Sequence, residues 1–173
     1  GLVYDTKVLP SGKKMVAGDF TSYNGTAVGS VIRLNQDGLL DPTFNSSAFT
    51  NTDIRKIVVQ PDGKVLAAGY FGANGTNKVV RINEDGTIDN TFSSGAGFNG
   101  LPTTLLLQSD GKIVLGGYFT YYNYFNKNRI VRLNSDGSID QNFSIGTGTN
   151  GTPTSMSLQS DGKTIITVDG YAT

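Results

Sequence analysis

The 173-residue chain has no cysteine, no histidine and one glutamate, Glu84. Without cysteine there is no disulfide and no thiolate metal site. Without histidine the commonest general base near neutral pH and the commonest metal ligand are both missing, and a Ser-His-Asp arrangement cannot be built. Fourteen acidic and fourteen basic residues cancel. The bases form no block or stripe, which argues against nucleic acid and against an anionic membrane surface as partners. No apolar stretch reaches the roughly 18 residues of a membrane helix, so no membrane insertion is expected, and no signal peptide opens the chain. The chain begins at Gly1 and stops inside a repeat, and is therefore expected to be a piece of a longer polypeptide. Helical periodicity is absent.

What the chain does have is glycine, 23 residues, and a low charged fraction of 16%. With its many Asn, Thr and Ser residues this is a turn-rich, all-β composition, common among secreted and surface proteins. The glycines mark a repeat. Pro10-Ser11-Gly12-Lys13 returns as Pro61-Asp62-Gly63-Lys64, Ser109-Asp110-Gly111-Lys112 and Ser160-Asp161-Gly162-Lys163. A period of about fifty residues belongs to arrays and propellers. The repeats run over about 10–60, 61–108 and 109–159, with a partial copy at 160–173, in one domain covering 1–173.

Each repeat carries two hairpin signals. The first is an apolar strand, a Pro/Ser-Asp-Gly-Lys turn and a second apolar strand, as in Ile54 to Gln60 followed by Val65 to Phe71. The second is a strand such as Val79 to Asn83, an Asp-Gly turn, then Thr87 to Phe92. Asp-Gly between short apolar strands is the strongest local hairpin signal. Runs such as Ile57, Val58 and Val59 suit strands covered on both faces. Two hairpins make four strands, and four strands make one propeller blade. The expected fold is an all-β, propeller-type array of about three and a half four-stranded blades, expected to be part of a larger propeller, with an open β-solenoid as the alternative. The last hairpin is expected to span Ser155 to about Tyr171. Gly116 and Gly117 lie in a strand pattern, where glycine permits close sheet packing.

The stretch Leu-Gln-Ser-Asp-Gly-Lys-Ile-Val-Leu-Gly-Gly-Tyr-Phe (107–119), followed by Arg-Leu-Asn-Ser-Asp-Gly-Ser-Ile-Asp-Gln-Asn-Phe (132–143), resembles the delta-sixty repeat. The resemblance covers nearly the whole chain, and both hairpins match in order in three copies. The first copy departs at Asp19, where the others have Tyr70 and Tyr118. The resemblance implies a β-propeller module of large secreted or surface-displayed bacterial proteins, some of them adhesins, and it supplies no catalytic residues.

Four groups of residues are candidates for a role. Arg33, Arg81 and Arg132 stand eight residues before Asp41, Asp89 and Asp140, on opposite arms of one hairpin. Recurrence in every unit favours a structural ion pair over a ring of ligand-binding charges. The Asn-x-Asp-Gly-x-x-Asp runs (35–41, 83–89, 134–140) place oxygen ligands in a tight turn, as calcium loops do, but Asn and Asp also favour such turns by bonding nearby backbone; no metal is expected. Several Asn-x-Ser/Thr triplets, Asn74-Gly75-Thr76 among them, match the glycosylation acceptor pattern but arise readily in so Asn- and Thr-rich a chain. Tyr121, Tyr122, Tyr124 and Phe125 are the least repetitive feature. The first copy has Ser22, Tyr23, Gly25 and Thr26 there, and the second has Ala73, Gly75 and Thr76. Large, rigid aromatic area suits a protein or glycan partner.

The functional expectation is a non-catalytic structural or adhesive module of an exported or cell-surface bacterial protein, without cofactor. It would act as scaffold or binding surface for a protein or glycan. The alternative is a glycan-acting propeller enzyme, which needs two carboxylates in separated environments. Open strand edges are hazards unless paired, so further blades, another chain or a second copy are expected to cover them.

Overall fold

A computed structural model describes residues 1–71, 76–146 and 148–170. Ala73, Asn74, Gly75 and Tyr171, named above, lie outside the described residues. The described residues form fifteen strands: β1 (Val3–Val8), β2 (Lys14–Gly18), β3 (Ser22–Tyr23), β4 (Thr26–Ala27), β5 (Val31–Leu34), β6 (Thr52–Val59), β7 (Val65–Phe71), β8 (Thr76–Ile82), β9 (Pro102–Leu107), β10 (Ile113–Gly117), β11 (Tyr121–Tyr122), β12 (Phe125–Asn126), β13 (Ile130–Leu133), β14 (Thr152–Leu158) and β15 (Thr164–Asp169). Helical structure among the described residues is a single 3-10 turn, Ser47–Phe49, and no helix is long and apolar enough to cross a membrane.

The strands gather into antiparallel sheets in chain order: β1-β2-β5, then β6-β7-β8, then β9-β10-β13, then the pair β14-β15. These are three blades and half of a fourth. β1, β6, β9 and β14 pack side by side along the axis. Each blade's fourth strand is a single antiparallel bridge, at Leu34–Leu40, Ile82–Ile88 and Leu133–Ile139. The cause is local. One residue past the bridge the Asp41 amide donates to the Arg33 carbonyl, and the Asp41 carbonyl then accepts the Phe44 amide, so the chain turns away. Asp89 and Asp140 repeat both bonds.

Alternation along each central strand stacks the blades. On β7, Val65 and Ala67 face the first blade in a core with Met15, Ala17, Val31, Phe49 and Ile57. Leu66 and Ala68 face the third, in a core with Leu105, Ile113, Leu115, Phe119 and Val131. Both faces are buried, as the unbroken apolar runs predict. On β10, a Cβ at Gly116 would stand 2.6 Å from the Pro153 Cβ on β14, and one at Gly117 would stand 2.3 Å from the Leu101 carbonyl oxygen. Here glycine lets strands meet more closely than any side chain allows.

Candidate functional site

Each repeated arginine and aspartate pair closes. Arg33 Nε donates to Asp41 at 2.6 Å, and Arg81 and Arg132 donate to Asp89 and Asp140 at 2.8 Å. A lysine from the first-hairpin turn joins the same carboxylate oxygen: Lys13 at 2.8 Å, Lys64 at 2.6 Å and Lys112 at 2.8 Å. Thr43 and Thr91 donate backbone amide and hydroxyl to the other oxygen of Asp41 and Asp89. The guanidinium then stacks on the phenylalanine ending the repeat, Phe44, Phe92 or Phe143.

All three carboxyls titrate below the ordinary range. Burial raises Asp41, but Lys13, Thr43 and Arg33 outweigh it. Lys64, then Thr91, lower Asp89. Lys112 leads in holding Asp140 down to about 2. Each Gly-Lys turn contains one of these lysines, but nothing in its spacing points to the aspartate. Only the fold brings that turn over the second hairpin.

The turn residues do not form a cation cage. Asp37, Asp85 and Asp136 accept the amides of Leu39, Thr87 and Ser138, capping their own turns. Asp41, Asp89 and Asp140 point instead to cations of the protein. Among the described residues no three acidic side chains converge.

The structure divides the four aromatic residues. Tyr122 is fully buried, in contact with Phe98 at a centroid distance of 4.6 Å, and its hydroxyl donates to the Gly137 carbonyl. Burial pushes that hydroxyl's pKa up. Tyr23 in the first blade makes the matching bond to Gly38 at 2.7 Å. Tyr122 is thus a repeated fold element and offers no surface to a ligand. The other three replace Ser22, Gly25 and Thr26, and they are exposed: Tyr121 by 46%, Phe125 by 55% and Tyr124 by 88%. They ride on the β11–β12 hairpin, whose turn residues Asn123 and Tyr124 have φ of 48° and 69°. The first blade forms the same turn with Asn24 and Gly25. A left-handed conformation suits glycine and costs tyrosine about 1 kcal/mol. Phe125 and Asn123 border a groove of about 400 Å³ over the second and third blades, with Ser93 and Gln141 among its polar walls. Tyr121 leans to the other side, over a groove of about 730 Å³ with Lys127 and Phe143.

The axis holds a feature the sequence did not reveal. Every inner strand bears a β-bulge, at Tyr4, Arg55, Thr103 and Thr154. Bulges re-aim side chains, and those of Tyr4, Arg55 and Thr103 meet residues of the neighbouring inner strand. Arg55 stacks on the Tyr4 ring at 4.1 Å and pairs with Asp53 at 2.6 Å. The Thr103 hydroxyl donates to the Pro153 carbonyl at 2.8 Å. One extra residue per strand leaves no periodic signal to read. The small axial cavity beside these strands, about 160 Å³, has Asp5 as its acid. Asp5 is engaged on both oxygens, by Lys7 at 2.7 Å and by the Ile57 amide at 3.0 Å.

The family described as "Domain of unknown function (DUF5122) beta-propeller" matches residues 9–44, 60–92 and 108–143. Each matched segment starts at the first-hairpin turn and ends on or beside the phenylalanine under the arginine. Comparison with curated proteins finds no match. Among solved structures, the extracellular domain of a protein described as a one-component system of B. thetaiotaomicron is similar, with a TM-score of 0.53 and 12% identity over 96% of this chain and 20% of that one. The likeness is one of fold, and the chain spans a fifth of that structure's length.

Proposed function

The chain belongs to the DUF5122 beta-propeller family, and on that premise we propose that it is a non-catalytic binding and scaffold module of an exported or cell-surface protein. The observation that carries the reading is the β11–β12 hairpin. Three aromatic side chains absent from the sibling blade stand exposed there, on a turn that accepts a strained tyrosine at its tip. The buried Tyr122 and the bond from the Asn123 amide to the Gly97 carbonyl anchor that hairpin to the blades, and aromatic side chains with few rotatable bonds bind at low entropic cost. The partner is a protein or a glycan.

A non-catalytic role is supported by the fate of the carboxylates. Asp5 on the axis is neutralised by Lys7, and Asp41, Asp89 and Asp140 serve the fold. Export is supported by the composition, by the delta-sixty-like motifs and by the extracellular setting of the similar solved structure. The test is a glycan array together with a surface-protein binding screen. Both are run on the parent and on the triple variant Tyr121→Ser, Tyr124→Gly, Phe125→Thr, which installs the first blade's residues. The expected result is a ligand that the parent holds and the variant loses. A ligand held equally by both, or a glycan cleaved on incubation, contradicts the proposal.

A further inference from the structure

The groove beside Phe125 is built from two blades fixed to each other. Thr91 and Ser93 come from the second blade, and Asn123, Phe125, Asp136 and Gln141 from the third, around about 400 Å³. The Ser93 amide donates to the Asp136 carbonyl and Arg81 Nη1 to the Ser135 carbonyl, both at 2.8 Å. A Cβ at Gly137 would stand 2.6 Å from the Ser93 carbonyl oxygen, so glycine alone permits that approach. The Asn123 side chain accepts the Gly97 amide at 3.0 Å, and the Asn123 amide donates to the Gly97 carbonyl at 2.9 Å. The walls therefore stand in place before anything enters, which lowers the ordering cost of binding.

No lysine or arginine lines this groove. Asp136 commits one oxygen, Oδ1, to the hydroxyl and amide of Ser138 at 2.7 and 2.9 Å. The hydroxyl, then the amide, hold its carboxyl below the ordinary range, so the groove is negatively charged at neutral pH. Asp136 Oδ2 takes no hydrogen bond among the described residues, and neither end of the Gln141 side-chain amide does. Asp136 recurs as Asp37 and Asp85. Phe125 and Gln141 do not recur: the first copy has Thr26 for the one, and Pro42 and Asn90 stand in place of the other. The groove's aromatic face and its uncommitted amide are thus both departures from the repeat.

We propose that this groove is the site for one ring of a neutral glycan. The inference rests on the aromatic hairpin being a binding surface, and it names the ligand class. A pyranose offers an apolar C–H face to lie on Phe125 and adjacent hydroxyls at its edge. One hydroxyl donates to Asp136 Oδ2 and its neighbour bonds the Gln141 amide, so a few placed polar groups fix the ring's orientation. A uronic or sialic acid would bring a carboxylate against Asp136 with no cation in the lining to receive it, and like charges oppose that. An apolar protein side chain on Phe125 would cover Oδ2 and the Gln141 amide without replacing their bonds to water.

The experiment is an amide NMR titration of the chain with the methyl glycosides of glucose, galactose, mannose and N-acetylglucosamine, and with glucuronate as the acidic counterpart. At least one neutral glycoside is expected to saturate at roughly millimolar concentration, the range of so small a ligand, moving the amides of Ser93, Phe125 and Gln141. Phe125→Thr is expected to weaken it about tenfold and Gln141→Ala about threefold, both with the parent's urea midpoint because both residues are exposed. Glucuronate is expected to bind about tenfold more weakly than that glycoside. No saturation by any of the four, equal binding by Phe125→Thr, glucuronate held as tightly as the neutral sugars, or shifts confined to other surfaces overturns the inference. A protein held through Tyr121 and Tyr124 by a chain that takes none of the sugars also overturns it, and leaves the function proposed above standing. A ligand that the Tyr121→Ser, Tyr124→Gly, Phe125→Thr variant still holds in full removes that function and this site with it.

Discussion

The β3–β4 and β11–β12 hairpins are the same device carrying different surfaces. Both follow the central strand of a blade, both turn through two left-handed residues, and both anchor a tyrosine hydroxyl to a turn carbonyl, Tyr23 to Gly38 and Tyr122 to Gly137. The tyrosine that repeats faces inward. The positions that differ face solvent: Ser22, Gly25 and Thr26 in one, Tyr121, Tyr124 and Phe125 in the other. The difference separates residues that build a blade from residues that a blade displays. A chain of near-identical units has that separation written into it, because packing demands recurrence and binding does not.

The comparison is broken most severely at Tyr122. Tyr122→Ala removes a buried ring from the core shared by the second and third blades, with an expected loss of about 4 kcal/mol in urea unfolding. Tyr23→Ala, at a half-buried site, costs less. Arg81→Ala comes next, at about 3 kcal/mol, because it strips a buried carboxylate of one partner and breaks the bond to the Ser135 carbonyl. The loss stays short of the extreme because Lys64 remains on Asp89.

Acid attacks the same repeated clusters. Asp41, Asp89 and Asp140 titrate lower in the folded chain than the ordinary carboxyl value of about 3.9. Their contribution is therefore complete above that value and is lost as pH falls through the folded values. Melting temperature should hold level from pH 7 to about pH 5 and fall between about pH 4 and pH 2, the last being the Asp140 range. A fall centred near pH 6 would contradict this assignment. The smallest effect belongs to the displayed surface. Tyr124→Gly relieves a left-handed tyrosine and should raise stability by about 1 kcal/mol, while Tyr121→Ser should leave it within about 0.5 kcal/mol.

Much of this was legible before any coordinates. Gly-Lys turns fixed the period, Asp-Gly turns located both hairpins, and the eight-residue interval from Arg33 to Asp41 foretold a cross-hairpin pair. The repeated Tyr23 also held a clue that Tyr122 would be internal, although four adjacent aromatics looked like one patch. Other features lie beyond sequence pattern. Lys13 reaches Asp41 across 28 residues, which requires the blade to be closed first. The bulges at Tyr4, Arg55, Thr103 and Thr154 insert one residue into strands whose neighbours hide the slip. The fourth strand of each blade shrank to one bridge because the Asp-x-x-Phe turn ends it, a hydrogen-bonding choice that apolar alternation does not register.

The central claim, that recurring residues build the blades while the odd aromatics are only displayed, is tested most directly by urea unfolding of the variant Tyr121→Ser, Tyr124→Gly, Phe125→Thr. The account predicts a midpoint equal to the parent's or higher, by up to about 1 kcal/mol in stability. A loss of about 2 kcal/mol or more would place those side chains in the packing and contradict it.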